Sequence, residues 1–417
     1  MLIHSANQLL TLAGSPQRGL DLGHLGIIPD GSVLVRNGEI SAVGTSPALM
    51  AKYSDEPRHD ASGKVVMPGF VDPHTHALWA GDRSAEFEMR IQGKSYLEIL
   101  AAGGGILSTV RATRQATVEQ MVAETRPRLE AMFAHGTTTA EVKSGYGLEI
   151  VSELRMLDAI MAMNEEGPLE LASTFLGAHA IAPEFAHNAD GYTDAICIDM
   201  LPKLLAWSEE MHPETPKPFV DVFCETGAFS LEQSRRILTT ASKLGFQLKI
   251  HADEFDNLGG ASLAADLDAT SADHLVATSS EDITRLAQSN TVAVALPCTP
   301  FGLAETHYTP AQAILEAGGL LALATDLNPG TAWCENMQFA IALACRYLLL
   351  TPAQAIVAAT LNAAAAIGRA DRIGSLEVGK QADILILDIP DYRHLGYRFG
   401  TNLVRTVIKQ GRVHHVN

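Results

Sequence analysis

Eight short apolar runs, most of them followed by a segment with helical signals, constrain the fold of this chain more than any other feature. Strands that alternate with helices predict βα units, and eight such units predict an α/β fold, the parallel (β/α)₈ barrel of the TIM type. In such a barrel the functional residues gather at the carboxyl ends of the strands. The eight predicted strands are 65–71, 137–142, 171–176, 219–224, 246–250, 268–272, 291–296 and 320–324.

Local signals mark where two of the helices begin and where helices end. Residues 230–233, Ser-Leu-Glu-Gln, and 351–354, Thr-Pro-Ala-Gln, both match the capping box, the second with proline at the first helical position. Gly245 and Gly368 stand where helix C-caps are expected. These signals support the helical half of each βα unit.

The two ends of the chain share a different texture, that of short strands joined by turns. Asn37-Gly38 lies between two alternating apolar runs, which is the strongest short signal for a β-hairpin. Similar runs return at 382–388 and 405–413, so we predict one small β-sandwich domain built from both termini. The predicted domains are 1–64 with 375–417 for the β-sandwich and 65–374 for the barrel.

Polar residues follow several predicted strands, at the end where a barrel holds its site. His74 and His76 stand one residue apart, and side chains at i and i+2 of an extended segment share a face, so the pair can hold one metal ion. Taken alone, a His-x-His pair is explained as well by surface or hydrogen-bonded histidines. The other strand ends add four candidates at corresponding places: His179, His251, His274 and Asp326.

This residue set predicts hydrolytic chemistry. Three imidazoles and one carboxylate around a divalent ion leave room for a water, whose pKa falls from ~15.7 to about 7. Asp326 is expected to bind the metal and accept a proton, and His274 to polarise the substrate or relay a proton. Glu254 is either a proton shuttle or a solvent-facing loop carboxylate. His187 stays undecided, and the remaining histidines are expected to be solvated or structural.

Composition narrows the partners. The chain has 417 residues, 47% of them hydrophobic, and a net charge of −18, so it can bury a large core and repels nucleic acid. No apolar run approaches the ~18 residues that span a bilayer and no secretory signal is recognised, so we expect a cytoplasmic enzyme with a small-molecule substrate and no membrane partner. The five cysteines form no C-x-x-C pair and are expected to be reduced. A homodimer is compatible with a barrel that carries a side domain.

The motifs also carry a family resemblance. The segment 68–76 with His251, His274 and Asp326 resembles the amidohydrolase superfamily, as does 374–383, Gly-Ser-Leu-Glu-Val-Gly-Lys-Gln-Ala-Asp. The more specific block 79–114, which begins Trp-Ala-Gly-Asp-Arg, resembles the imidazolonepropionase family within it, and this resemblance runs over nearly the whole chain. It implies hydrolytic opening of the ring of 4-imidazolone-5-propanoate to N-formimidoyl-L-glutamate, in histidine degradation, with one zinc or iron ion.

The resemblance further implies roles for individual residues. The propionate carboxylate of the implied substrate can be bound by the planar guanidinium of an arginine and by the hydroxyl groups of tyrosines. Glu254 departs from those members of the family that carry Gln at this position, so its role as an obligatory base stays open. The implied metal ligands are His74, His76, His251 and Asp326. The implied substrate-binding residues are Arg83, Tyr96, Tyr146, His179, Glu254, Asn328, Gly330 and Thr331.

Two other interpretations stay open at this point. A deaminase of an aminoazole or nucleobase on the same barrel shares the ligand set, but needs a neutral pocket in place of Arg83 and the tyrosines. A non-catalytic barrel that serves as a scaffold is disfavoured because all four ligand positions are occupied. Gly103-Gly104-Gly105 is interpreted either as the hinge of a closing loop or as a tight turn.

Overall fold

The computed structural model describes residues 1–94, 98 and 103–415 of the chain. The strands are β1 Leu2–Leu10, β2 Ile27–Arg36, β3 Glu39–Thr45, β4 Arg58–Asp60, β5 Val65–Pro68, β6 Phe70–Asp72, β7 Thr137–Lys143, β8 Glu170–Ala178, β9 Phe219–Cys224, β10 Lys249–Ala252, β11 Ser271–His274, β12 Val292–Ala295, β13 Leu320–Leu323, β14 Ile384–Leu387, β15 Val404–Lys409 and β16 Arg412–His415.

Helices fill most of the connections between strands. They are α1 Ser46–Lys52, α2 Ser84–Ile91, α3 Ile106–Gln115, α4 Val118–Ala134, α5 Ile150–Glu166, α6 Ala189–Ala195, α7 Leu201–Met211, α8 Leu231–Lys243, α9 Gly260–Asp266, α10 Ser280–Ala287, α11 Cys298–Leu303, α12 Ala311–Glu316, α13 Met337–Tyr347, α14 Pro352–Ala358, α15 Leu361–Ala365 and α16 His394–Tyr397. Short 3₁₀ turns lie at Gly19–Asp21 and Pro183–Phe185, and a π-helical turn, Ile196–Met200, joins α6 to α7.

Strands β6 to β13 form one parallel sheet in sequence order, with a helical crossover after each of the first seven strands. The sheet closes between its first and last strands just beyond their ends, where His76 N donates to Leu327 O at 2.8 Å and Asp326 N donates to His74 O at 3.2 Å. Inside the barrel, Thr325 N donates to Asp72 Oδ1 at 3.1 Å and adds a further tie. The predicted (β/α)₈ barrel is confirmed.

The predicted first barrel strand, 65–71, is wrong as a single strand, because it divides at Gly69. Its first half, β5, pairs with β1 and β14, and its second half, β6, pairs with β7. A Cβ on Gly69 would lie 2.2 Å from Thr138 Oγ1, so only glycine lets the chain pass here from one sheet to the other. The proposed domain bounds, 1–64 with 375–417 and 65–374, stay a prediction, and the pairing places β5 with the termini.

The other strands of both termini join β5 in one mixed sheet, in the order β16-β15-β14-β5-β1-β2-β3, with β4 beside β1. The prediction that both ends of the chain build one β domain is therefore confirmed. Asn37 and Gly38 connect β2 to β3 with φ of +53° and +82°, which is the two-residue turn expected of Asn-Gly.

The predicted helix signals appear in place, whereas two strands are displaced. Ser230 and Thr351 each form the reciprocal capping box, and Gly245 and Gly368 adopt positive φ after their helices. Strands β10 and β11 begin about three residues later than predicted. The backbone N–H groups of residues 246, 268 and 269 bond back to the preceding helices, and residue 248 forms only an isolated bridge to the neighbouring strand. The predictions that His251 and His274 follow their strands are thus wrong: both lie within the last two residues of a strand.

Among the described helices, none has both the length and the apolar surface needed to cross a membrane. The five cysteines are all unpaired, as expected from their spacing.

A partly buried ionic cluster joins the amino-terminal end of the barrel to the terminal sheet. Glu170, the first residue of β8, accepts from Arg369 and Arg372 at 2.7 Å each, and Lys409 of β15 lies 3.2 Å away. Burial by itself raises the pKa of Glu170, but Lys409, Arg369 and Arg372 outweigh it and lower the pKa to about 2. The carboxylate therefore stabilises the junction when it is ionised.

We expect Glu170→Gln to destabilise the protein at pH 7 by up to about 3 kcal/mol, since the folded pKa is about 2 against an ordinary 4.5. A lowered carboxyl pKa contributes stability that is present above pH 4.5 and is lost as the pH falls towards 2. Urea unfolding of both proteins across this range should show the difference shrinking with acidity. Glu166→Gln, which breaks an exposed pair with Arg126, is the control, and an equal loss in both variants would contradict the assignment.

Candidate metal centre

Four proposed ligands converge at the carboxyl end of the barrel. His74 and His76 follow β6, His251 lies in β10 and Asp326 follows β13. Each is 3% exposed or less. His76 Nε2 lies 3.2 Å from His251 Nε2, and Asp326 Oδ1 lies 3.5 Å from His74 Nε2 and 3.7 Å from His76 Nε2. The structure therefore brings together residues that the sequence places on three different segments.

These distances fit a shared metal ion. With metal–ligand bonds of about 2.0–2.2 Å, two ligand atoms of a tetrahedral site lie about 3.4 Å apart. His74 Nε2 and Asp326 Oδ1 are buried and have no hydrogen-bond partner among the described residues. Such buried, unpaired polar atoms are costly unless something else satisfies them, and one divalent ion satisfies both. The nitrogen and oxygen donor set also suits such an ion.

Two aspartates that the sequence analysis missed hold the histidines from behind. Asp273 Oδ2 lies 2.6 Å from His74 Nδ1, and Asp221 Oδ2 lies 3.0 Å from His251 Nδ1. A carboxylate behind an imidazole keeps the proton on Nδ1 and leaves Nε2 free to bind a metal. Burial lowers the pKa of His74 well below its usual range, so this imidazole is neutral, as a ligand must be.

The backbone is strained at two residues of the site. His274 and Asp326 are not glycine, yet they adopt φ of +79° and +54°. Backbone in this region costs of order 1–3 kcal/mol per residue and persists where the surroundings enforce it. Thr299 Oγ1 donates to Asp326 Oδ2 at 2.5 Å and leaves Oδ1 facing the histidines. Burial raises the pKa of Asp326 to about 6.

Glu254 faces the site, so the interpretation as a solvent-facing loop carboxylate is wrong. Its side chain is 10% exposed, and its Oε2 lies 3.7 Å from His274 Nε2. Burial, reinforced by the charges of Asp326 and Glu225, raises the pKa of Glu254 well above its usual range. Burial likewise holds the pKa of His274 well below its usual range, so the imidazole is neutral.

His179 and Tyr146 form one wall of the site. The ring of His179 stacks on His76 with centroids 4.8 Å apart, and its Nδ1 donates to Gly145 O at 3.0 Å. Burial lowers the pKa of His179 to about 3, so its Nε2 carries no proton at pH 7. Tyr146 is 3% exposed and its ring lies 5.3 Å from that of His179. Both side chains therefore lie beside the proposed ligands.

The guanidinium of Arg83 already donates hydrogen bonds to a carboxylate of the same chain. Its Nε and Nη2 donate to Glu86 Oε2 at 3.0 and 2.9 Å, which the sequence analysis did not foresee. A Cβ on Gly330 would lie 2.7 Å from Arg83 Nη1, so the absence of a side chain at Gly330 allows the guanidinium to approach the loop. Nη1 remains the donor that is left over for an anionic group.

Asn328 shapes the loop that holds Gly330 and Thr331. Its Oδ1 accepts from Gly330 N and Thr331 N at 2.8 Å each, and its Nδ2 donates to Asp326 O at 2.7 Å. The amide thus connects the loop 328–331 to the proposed ligand Asp326.

Three other predictions remain, on Tyr96, on His187 and on the glycines 103–105. Tyr96 lies outside the described residues. His187 is exposed and does not join the cluster. Gly103 and Gly105 adopt φ of +86° and +77°, as a tight turn requires, and a hinge motion stays a prediction.

The comparisons with known proteins agree with this geometry. Residues 225–414 match the Amidohydrolase family. An adenosine deaminase from Xanthomonas campestris with bound zinc is 20% identical, with a TM-score of 0.69 over 100% of this chain and 92% of that one, a likeness that shows the fold alone. Barrel, site and family match together define an amidohydrolase.

Closer relatives specify the family. The imidazolonepropionase of Herpetosiphon aurantiacus is 53% identical over 412 residues, which cover 99% of this chain and 96% of the relative. That of Chloroflexus aggregans is 48% identical over 417 residues, with 99% and 98% covered. The chain belongs to the imidazolonepropionase family.

We expect His251→Ala to lose the bound divalent ion, because it removes one of four proposed ligands and leaves Asp221 without its imidazole partner. Metal content of the purified protein, measured by elemental analysis, checks this. His187→Ala removes an exposed histidine outside the cluster and should keep the wild-type content. Stoichiometric metal in a folded His251→Ala protein would exclude His251 as a ligand.

Proposed function

We propose that this chain hydrolyses the ring carbon–nitrogen amide bond of 4-imidazolone-5-propanoate to give N-formimidoyl-L-glutamate, a step of histidine degradation. Identity of 53% over 99% of the chain to an imidazolonepropionase carries this proposal. The chain is a hydrolase of a cyclic amide, and its substrate is a small molecule. A cytoplasmic location and a homodimer stay predictions, the first favoured by five unpaired cysteines.

His74, His76, His251 and Asp326 are the proposed ligands of one divalent ion, zinc or iron. When bound, such an ion lowers the pKa of a water and polarises a carbonyl. Both ions accept three nitrogens and one oxygen, so the donor set leaves the choice between them to metal supply. The proposed role of the protein is to keep the three imidazoles neutral and oriented.

The ring-opening step adds water across the amide bond. The water oxygen bonds to the carbonyl carbon, the bond to the ring nitrogen breaks, and that nitrogen takes up a proton. Asp326 and Glu254 are the proposed proton carriers, since both carboxyls are buried at the site with raised pKa. His274 is neutral and can donate one N–H to the developing oxyanion, with Glu254 3.7 Å behind it.

The proposed substrate seat lies on the loops around the metal centre. Arg83 Nη1 would bind the propionate, with Tyr96 and Tyr146 as phenolic donors and His179 against the ring. Asn328, Gly330 and Thr331 would line the seat next to Arg83, where two backbone N–H groups are already held by one amide oxygen. Glu254 is a substrate contact as well as a proton carrier in this arrangement.

The two other interpretations lose support. A deaminase would not need the guanidinium of Arg83, which is held in place by Glu86 at the mouth of the site. A scaffold would not need the unpaired buried ligand atoms His74 Nε2 and Asp326 Oδ1.

Turnover, followed by the ultraviolet absorbance of the imidazolone, should stop with a chelator and return with Zn²⁺.

Arg83→Ala should lower kcat/KM by about 10- to 100-fold, as expected for a hydrogen bond to a charged group worth about 1.5–3 kcal/mol. The wild type and Arg83→Ala should turn over an imidazolone without the propionate tail at equal rates. Arg126→Ala, which removes an exposed arginine, is the control. An equal loss with both substrates would contradict the propionate contact, and no turnover by the metal-loaded wild type would contradict the proposed function.

Glu254→Gln should lower kcat by about 10²- to 10⁴-fold while the bound metal is retained, because it removes a proton carrier and no ligand. Steady-state kinetics combined with metal analysis checks this. Asp256→Asn changes an exposed carboxylate of the same loop and should stay near wild type. A kcat within about threefold of wild type would leave the proton transfer to Asp326.

A further inference from the structure

Below the proposed metal centre lies a buried ionic cluster that the proposed chemistry does not use. Lys143 Nζ lies 2.7 Å from Glu141 Oε1, 2.8 Å from Asp221 Oδ2 and 3.9 Å from Asp273 Oδ2. The side chains of these four residues are all 0% exposed. Burying an ammonium at this depth is costly, so its position needs a reason.

The register of the barrel explains how one lysine reaches three carboxylates. Glu141 and Lys143 stand at i and i+2 of β7, so both side chains point into the barrel. Asp221 lies on β9 and Asp273 on β11. These are the second, fourth and sixth strands, and alternate strands of such a barrel supply one interior layer. The ammonium of Lys143 therefore lies among carboxylates from three alternate strands, and these four side chains are called the charged layer below.

Each carboxylate of this layer continues to a segment that carries a proposed ligand. Asp221 Oδ2, which contacts Lys143, also lies 3.0 Å from His251 Nδ1. Asp273 Oδ2 lies 2.6 Å from His74 Nδ1. Glu141 Oε2 accepts from Thr75 N at 3.1 Å, between the two histidines of the His-x-His segment.

We propose that Lys143 is a positioning residue for the metal centre, whose ammonium fixes Glu141, Asp221 and Asp273 so that His74, His76 and His251 present their ring nitrogens to one ion. This inference rests on the proposed metal centre. It assigns a role to the cluster as a whole: Lys143 orients the carboxylates behind three ligands on two different strands. Lys249 Nζ, which also lies 3.9 Å from Asp273 Oδ2, is a second buried cation beside Asp273. Lys143 itself binds neither the ion nor the substrate.

The test compares Lys143→Met with Lys409→Met. Lys409 is also a buried lysine between two carboxylates, at 2.7 Å from Asp383 and 3.2 Å from Glu170, but it lies at the opposite end of the barrel. Both variants lose a buried ion pair, so both should lower the unfolding midpoint. Only Lys143→Met should change the metal site.

Two readouts separate positioning from stability. Apoprotein is titrated with Co²⁺ against a chelating dye, and the visible spectrum of the Co²⁺ protein reports the coordination geometry. We expect Lys143→Met to weaken Co²⁺ binding by about 10- to 100-fold and to change the spectrum, as loss of support behind metal ligands does. Lys409→Met should keep the affinity and spectrum of wild type. Wild-type affinity and spectrum in Lys143→Met would overturn the inference.

A second variant covers the case in which Lys143→Met does not fold. Lys143→Met with Glu141→Gln removes one positive and one negative charge, so the net charge of the layer stays as in the wild type. It should show the same weakened Co²⁺ binding, and wild-type binding would again overturn the inference. A wild-type protein that binds no divalent ion would instead contradict the proposed metal centre, so the two failures are distinguishable.

Discussion

Burying charge inside the barrel is the constraint on which the rest of this structure depends. Carboxylates and an ammonium with no exposed surface occur together only if each is paired, because an unpaired buried ion costs several kcal/mol. Lys143 meets this condition for Glu141 and Asp221 and lies near Asp273. Asp221 and Asp273 in turn contact the imidazoles above them. The same carboxylates thus compensate the buried ammonium and orient the imidazoles of the proposed ligands.

Closure of the barrel also helps to orient the proposed ligands. The first and last strands meet through bonds at His74, His76 and Asp326, so residues that close the sheet are also proposed ligands. Positive φ at His274 and Asp326 turns the chain sharply as it leaves the strands. This strain is tolerated because the surrounding sheet holds both residues, and it directs their side chains towards the site.

Much of this arrangement could be predicted from the sequence, and the failures have physical reasons. Strand ends of a parallel barrel converge, so counting strands was enough to place His74, His251 and Asp326 together. Spacing does not tell which residues meet across the barrel interior, and so Lys143 and Asp221 were missed. The signal for Asp221 is a charged residue inside an otherwise apolar strand, Phe-Val-Asp-Val-Phe-Cys, whereas Lys143 ends the polar strand Thr-Thr-Thr-Ala-Glu-Val-Lys and has no such signal. The division at Gly69 depends on contact with Thr138, which no local pattern shows.

The proposed metal ligands and the proposed substrate contacts lie on different parts of the barrel. The proposed ligands and the charged layer lie on or directly after strands, and a zinc-bound deaminase shares this fold at 20% identity. Arg83, Tyr146 and Gly330 instead lie on connections after β6, β7 and β13. A change in these connections alters the charge and shape of the proposed substrate site without disturbing the paired charges around Lys143 inside the barrel. Selectivity for a propionate can therefore arise in the loops, while the strands keep the hydrolytic centre unchanged.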